Sequence, residues 1–166
     1  MSPLVLTGAG VSIEDVAAVA REACRIEVTP TVIERLGTAR KVLDEAAAGG
    51  QQIYGLNTGL GANLGTSVEG DASAFQRQLL DGRGAAVGEA LPVETVRATM
   101  FARVAMLSAG GSGLSPHVFT ALIEALNAGV HPVMPSLGSI GAGDLVLMTA
   151  LARMLIADGE GDYQRR

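Results

Sequence analysis

The residues best suited to chemistry lie in glycine-rich loops. These loops are NTGLGANLGT at 57–66, DGRGAAVGEALP at 81–92 and GSIGAGDL at 138–145. Glycine supplies backbone conformations with positive φ, which by itself can explain any one such loop. Several long loops with embedded polar residues are more typical of binding or catalytic regions.

Two common uses of such loops are not supported by the spacing. The glycines at 59–65 read G-x-G-x-x-x-G, which differs from the dinucleotide-binding G-x-G-x-x-G, and no alternation of strands and helices surrounds them. No G-x-x-x-x-G-K-[ST] phosphate loop is present. His117, His131 and the single Cys24 do not have the spacing of metal ligands. We therefore expect no Rossmann-type nucleotide site and no metal.

Helices with recognisable start and stop signals must position these loops. Ser12 can cap a helix over 13–23, with acidic residues in its first turn. Thr29-Pro30 opens a second helix that Gly49-Gly50 ends, because proline is tolerated in the first turn and glycine is favoured after the last. The predicted fold is mostly α with a few short strands. Further helices are predicted over 71–80, 92–108, 115–129 and 144–157, and strands over 4–6 and 25–28.

Apolar stripes indicate which helix faces point inward. The last helix is apolar on nearly every side apart from Thr149 and Arg153, so we expect it to be buried on most sides. Three other helices each present one apolar face. The predicted inward residues are Val32, Ile33, Leu36, Val42, Leu43 and Ala46 in the second helix, Val96, Met100, Val104 and Leu107 in the helix over 92–108, and Val118, Leu122, Ile123 and Leu126 in the next.

Composition narrows the class of protein. The chain has 166 residues, enough for one ordinary domain, with 48% apolar and 17% charged residues and a net charge of −5. Lys41 is the only lysine and no basic cluster is present, so no nucleic-acid surface is expected. The sequence has a lone Cys24 and no secretory signal, which predicts a cytoplasmic protein. Its most apolar stretch is interrupted by Arg153, so no membrane span is expected. The high apolar content favours an oligomer or a partner.

Taken together, these segments resemble the histidine and aromatic amino-acid ammonia-lyase family. YGLNTGLG at 54–61 resembles the family's YGxNTGFG, and LLDGRGAAVGEALP at 79–92 resembles LLxSHAAGxGEPLP. VRATMFARVAMLSAGGSGLSP at 96–116 is similar to the family helix that ends in GxSGxxP, and ALNAGVHPVMPSLGSIGAGDL at 125–145 resembles LNAGVHPxVPxxGSVGASGDL. The resemblance implies the N-terminal domain of the ammonia-lyase, fumarase/aspartase-like helical fold. We expect 1–166 to be that single domain, with the family's central helical bundle missing from the chain.

The resemblance also implies a prosthetic group, and here the sequence departs from the family. In the family, Ala-Ser-Gly cyclises to a methylidene-imidazolone, an electrophile placed at helix N-termini. The equivalent positions here are Gly141, Ala142, Gly143 and Asp144, and neither possible alignment supplies the serine. Ser139 lies outside the tripeptide and is expected to be a hydrogen-bonding loop residue. Because the methylidene carbon comes from the serine Cβ, we predict that the group does not form and that no cofactor is used.

The resemblance assigns roles to four loop residues. Tyr54 matches the family's catalytic tyrosine, the base that removes the β-proton of the substrate; the alternative is a tyrosine packed at the end of a strand. Arg83 falls where histidine-type members place the residue that selects the substrate. An arginine there can hold a carboxylate or phosphate through two hydrogen bonds, or it can be an exposed loop residue. Asn57 and Gly61 share the Tyr54 loop and are expected to shape it for substrate binding. Three further charged residues are expected to hold structure: Arg97, Arg103 and Asp144.

Three hypotheses remain open. The chain can be one subunit of a split lyase that eliminates a group from a small carboxylate or amino-acid-like substrate without a prosthetic group, with Tyr54 as base. It can instead be a non-catalytic ligand-binding or regulatory protein of the same fold, or a fragment of an ordinary histidine or aromatic amino-acid ammonia-lyase. In the first case we expect a second polypeptide that carries the missing bundle or, failing that, a homo-oligomer.

Overall fold

The computed structural model describes residues 2–63, 65, 72–141, 145–156 and 163–165. Helices make up most of this part of the chain, and the strands are short, as the sequence predicts. The helices are α1 (Ile13–Arg21), α2 (Pro30–Ala48), α3 (Ala72–Asp81), α4 (Val93–Ser108), α5 (Pro116–Asn127) and α6 (Leu145–Ile156), with a 3-10 turn over Gly61–Asn63. The strands are β1 (Leu4–Leu6), β2 (Ile26–Val28), β3 (Val87–Ala90), β4 (Val130–Pro132), β5 (Pro135–Leu137) and β6 (Tyr163–Arg165).

The helix starts follow the capping residues that the sequence indicated. Ser12 accepts a hydrogen bond from the Asp15 amide, and Asp15 returns one to the Ser12 amide, which together form a capping box. Ser115 caps α5 by accepting from the Val118 amide. These local hydrogen bonds satisfy amides that have no partner within the helix, so the helix starts could be predicted without knowledge of the tertiary fold.

The core is centred on α4, which packs against α1 and α5. The predicted inward residues Val96, Met100, Val104 and Leu107 are all buried. Phe119 of α5 is fully buried as well, although it was not on the predicted face.

The first two strands are tied to the end of α5. β1 and β2 pair in parallel, with Leu4 opposite Ile26. The Asn127 side chain accepts from the Ile26 amide at 2.8 Å and donates to the Ile26 carbonyl at 2.9 Å. Asn127 thereby supplies the hydrogen bonds that a third strand would give at this residue.

Two predictions about burial are wrong. Val42 is 62% exposed, because α2 rests on the core through Val32 and Leu36 in its first half. Further along the helix, Leu43 packs near Gly113. In α6 only Thr149 and Leu151 are buried. The helix contacts α3, α5 and β4, and its remaining apolar side chains are half-buried or exposed.

Two strand pairs that the sequence did not reveal organise the loops. β3 pairs antiparallel with β5, with Val87 opposite Leu137, and β4 pairs antiparallel with β6. The β3–β5 pair places the loop that contains Arg83 beside the segment at 138–141. None of the described helices is long and apolar enough to cross a membrane.

Candidate functional site

A cavity of about 510 Å³ lies between α3, α4, α5, α6 and the loop that carries Tyr54. Leucines and Met148 form most of its wall. Its charged lining residues, among those the structure describes, are Arg83 and Arg103, and its other polar side chains are Tyr54, Gln76 and Thr149. A mostly apolar pocket with a few polar side chains is the usual form of a small-molecule site.

Tyr54 lies on a turn and not at the end of a strand. Its side chain is 62% exposed, and its hydroxyl oxygen accepts a hydrogen bond from the Gly61 amide at 3.2 Å. Gly61 has φ of +58°, a conformation that glycine adopts without the clash that a Cβ would cause. Gly61 therefore contributes its backbone to the position of Tyr54.

Two amide side chains hold the turn at Tyr54 in place. Asn57 accepts from the Ile53 amide at 2.7 Å and donates to the Gln51 carbonyl at 2.9 Å. Gln76, on α3, donates to the carbonyls of Gly55 and Leu56 at 3.0 and 3.2 Å. Asn57 thus braces the loop from within and is not among the residues that line the cavity, whereas Gln76 fastens the loop to α3.

Arg83 is half-buried on the loop that follows α3. One of its Nη atoms donates to the Leu79 carbonyl at 3.3 Å, which leaves most of its five N–H donors for another partner. The loop is joined to α6 through Arg153, which pairs with Asp81 at 3.1 Å. The Arg153 guanidinium also packs on Gly84, where an added Cβ would lie 3.0 Å from it. The residues on both sides of Arg83 are therefore held against α6.

Arg97 and Arg103 have different environments, although both were expected to be structural. Arg97 is 1% exposed and donates to the carbonyls of Val19 and Leu126, which confirms the expectation. Arg103 is exposed, lines the cavity and forms no hydrogen bond or ion pair with any residue that the structure describes. For Arg103 the expectation is wrong, since α4 directs this side chain away from the packed core.

Of the segment that replaces the prosthetic-group tripeptide, the structure describes Gly141, while Ala142, Gly143 and Asp144 lie outside the described residues. Gly141 has φ of +74°, and its amide donates to the Ser139 hydroxyl at 3.1 Å. Ile140 separates Ser139 from the segment 141–144, and that segment itself holds no hydroxymethyl group. The residues present therefore do not fit a methylidene-imidazolone.

The sequence profile of the aromatic amino acid lyase family matches residues 11–166. The chain belongs to this family. A histidine ammonia-lyase from Treponema denticola is 34% identical over 166 residues, which cover 99% of this chain and 33% of that relative. A histidine ammonia-lyase from Streptomyces griseus is 35% identical over 167 residues, which cover 98% of this chain and 32% of that relative. The chain thus spans about a third of the length of the curated relatives it matches.

Solved structures of the same family confirm the fold. An ergothionase from Treponema denticola, crystallised with desmethyl-ergothioneine sulfonic acid, superposes with a TM-score of 0.88 at 33% identity, over 92% of this chain and 31% of that one. A phenylalanine aminomutase from Pantoea agglomerans superposes with a TM-score of 0.83 at 34% identity, over 90% of this chain and 29% of that one.

Proposed function

We propose that this chain provides part of the active site of a carbon–nitrogen lyase that acts on a small carboxylate or amino-acid-like substrate. Tyr54 accepts the β-proton of the substrate, the electrons of that C–H bond form a C=C bond, and the C–N bond breaks to release the amine. Arg83 anchors an anionic group of the substrate. The observation that carries the proposal is that the Tyr54 and Arg83 loops, which are distant in sequence, line one cavity. Asn57 and Gly61 shape the loop on which Tyr54 lies.

The hydrogen bond at Tyr54 fixes the position of its hydroxyl group. The Gly61 amide donates to the phenolic oxygen at 3.2 Å and so holds this atom at a defined place in the loop. The side chain is exposed and so remains within reach of a ligand in the cavity. Gln76 and Asn57 restrain the backbone at the tyrosine, which fixes the direction from which it meets the substrate.

An anionic substrate is consistent with the cavity and with one relative. Arg83 offers a planar set of N–H donors that matches a carboxylate or a phosphate. The ergothionase of Treponema denticola was crystallised with a sulfonic acid, so a protein with this fold accommodates an anion.

We propose that the elimination proceeds without a methylidene-imidazolone, because no serine is present from which its methylidene carbon could form. An intact mass equal to that of the encoded sequence is the expected result. A mass lowered by the waters lost on cyclisation, together with the absorbance band of a conjugated ring, would instead identify an ordinary ammonia-lyase fragment.

The rest of the site comes, in this proposal, from a second polypeptide that carries the helical bundle or from further copies of this chain, in the cytoplasm. Exposed apolar side chains of α6 support such an assembly, among them Leu145 and Ile156. Co-expression with the neighbouring reading frame should give a complex of fixed stoichiometry. A well-folded monomer at micromolar concentration that binds no other polypeptide would contradict the assembly.

A non-catalytic ligand-binding or regulatory role is the second candidate, and the missing serine favours it. Tyr54→Phe distinguishes the two roles because it removes the phenolic oxygen and keeps the ring. We expect turnover to fall by about 10²–10⁴-fold, the usual contribution of a general base. A catalytically inactive protein would show no turnover to lose and unchanged ligand binding.

The assay follows the unsaturated product by absorbance, with histidine, tyrosine, phenylalanine and ergothioneine as first candidates, chosen from the names of the relatives. Gln52→Ala, an exposed change in the same loop, is the control variant. Absence of product from a wider set of carboxylates, with and without a co-purifying polypeptide, would exclude the catalytic proposal.

A further inference from the structure

The charges that line the cavity are unbalanced. Arg83 and Arg103 both border it, and none of the described lining residues is Asp or Glu. Both guanidinium groups keep N–H donors that no described residue uses. A ligand that carries negative charge at both places can therefore pair with each of them.

The remaining polar groups of the cavity are already engaged. Gln76 donates to two carbonyls of the Tyr54 turn, and the Thr149 hydroxyl donates to the Val146 carbonyl at 2.6 Å. Arg83 uses one donor on the Leu79 carbonyl, and Arg103 uses none within the described part of the chain. Among the described residues, the side-chain donors of this wall that remain free are therefore those of the two arginines and the Tyr54 hydroxyl.

The arginines reach the cavity from different elements. Arg83 lies on the loop after α3, and Arg103 lies on α4, one helical turn before the buried lining residue Leu107. Most of the other side chains that line the cavity are apolar, including Leu79, Leu114 and Met148. A ligand that pairs with both cations therefore meets a mostly apolar wall, which favours an apolar or unsaturated body between its charged ends.

We propose that the cavity binds a dianionic small molecule with an apolar centre, of the dicarboxylate class. One anionic group pairs with Arg83 and the other with Arg103. This inference rests on the proposed function, since it names the substrate class of the same site, and it makes Arg103 a substrate-binding residue.

The test scans the separation of the two charges. Unbranched α,ω-dicarboxylates with four to eight carbons are titrated into the full chain, with any polypeptide that co-purifies with it, by isothermal calorimetry. Each is compared with the monocarboxylate of equal carbon number. We expect at least one dicarboxylate to bind about ten-fold or more tightly than its partner, because a hydrogen-bonded ion pair is worth more than a neutral contact. Arg83→Gln and Arg103→Gln should each remove this advantage, and Arg83→Lys and Arg103→Lys should retain part of it.

The other outcomes separate this inference from the proposed function. If mono- and dicarboxylates bind equally well, and if Arg83→Gln weakens this binding but Arg103→Gln does not, the proposal of a dianionic ligand is overturned. That result leaves Arg83 as the single anchor. Failure of every dicarboxylate to bind at millimolar concentration overturns the dianion as well. A dicarboxylate preference together with unchanged turnover in Tyr54→Phe contradicts the proposed base instead. Circular dichroism confirms that each variant is folded before its binding is interpreted.

Discussion

Arg97 and Arg103 lie on the same helix, α4, yet they belong to two different regions of the molecule. The 3.6-residue period directs them about 120° apart around the helix axis. Arg97 points into the packed half formed by α1, α4 and α5, where its guanidinium meets the carbonyls of Val19 and Leu126. Arg103 points into the cavity and forms no bond with any described residue.

The surroundings of the two arginines differ in the same way. In the packed half, the Asn127 side chain accepts from and donates to the backbone of Ile26, and the apolar face of α4 is buried. Around the cavity, Tyr54 and Leu145 are exposed and Arg83 keeps free donors. A buried arginine that is saturated with carbonyls holds structure, whereas an unpaired arginine at an apolar cavity is available for a ligand. The following substitutions test whether the two regions divide stability and binding in this way.

The largest effect is expected for Arg97→Met. The change removes the charged hydrogen bonds from Arg97 to the carbonyls of Val19 and Leu126, each worth about 1.5–3 kcal/mol, so the free energy of unfolding should fall by roughly 3–5 kcal/mol. Arg103→Met, the same substitution on the same helix, should change it by less than about 0.5 kcal/mol. Urea denaturation measures both values. Equal losses would show that Arg103 also holds structure.

Alanine substitutions at two glycines with positive φ test how tightly the backbone is packed in each region. At Gly8, with φ of +85°, an added Cβ would lie 2.9 Å from the Ser108 carbonyl oxygen and would collide with Arg35. At Gly61, with φ of +58°, no atom from the described part of the chain lies within 4 Å of the added Cβ. Gly8→Ala should therefore destabilise by about 2–3 kcal/mol and Gly61→Ala by about 1 kcal/mol, the strain of the left-handed conformation alone. Thermal unfolding of both variants shows which one is destabilised more. A larger loss for Gly61→Ala would contradict the tighter packing at Gly8.

Asn57→Ala should act locally. The change removes two hydrogen bonds to the Ile53 and Gln51 backbone, worth about 1 kcal/mol each, without opening the packed half. Hydrogen exchange of the amides at 51–61 should therefore become faster, while exchange in α4 stays the same. Gln52→Ala is the matched control, since its exposed side chain lies in the same loop. Uniform acceleration across both regions would contradict a local role.

The smallest stability effect is expected for Asp81→Asn. Asp81 is 65% exposed, so its pair with Arg153 contributes at most about 1 kcal/mol. Because the pair holds the residues around Arg83, the change should weaken anion binding more than it weakens folding. Asp44→Asn, which breaks the exposed pair with Arg40 on α2, should affect neither property noticeably. If both variants bind the anion equally well, the Asp81–Arg153 pair does not help to position Arg83.

Signals that act locally could be read from the sequence. Ser12, Pro30 and Ser115 mark helix starts because their effects depend on neighbouring residues alone, and the structure confirms each start. The inward face of α4 was predictable because its partners on α1 and α5 cover it completely. The loop motifs around Tyr54 and Arg83 identified two residues that line the cavity.

Features that depend on distant residues could not be read in this way. β3 and β5 are very short strands from separate loops, and neither has a pattern long enough to reveal its partner. The exposure of Val42 and the position of Arg103 depend on which helix faces the rest of the chain covers, which periodicity does not specify. Asn57 was expected to shape the loop for substrate binding, but the partners of its side chain, Gln51 and Ile53, follow from the turn geometry.

The Asn127–Ile26 contact also constrains the order of events during synthesis. The two residues are 101 positions apart in the chain, and the Arg97–Val19 contact spans 78 positions. The β1–α1–β2 unit therefore leaves the ribosome well before the residues that complete its hydrogen bonds, and contacts of such long range form slowly. Until Asn127 emerges, the edge of β2 is open to pairing with other chains. A nascent chain stalled before Asn127 emerges from the ribosome should bind chaperones more strongly than one stalled after Asn127 has emerged.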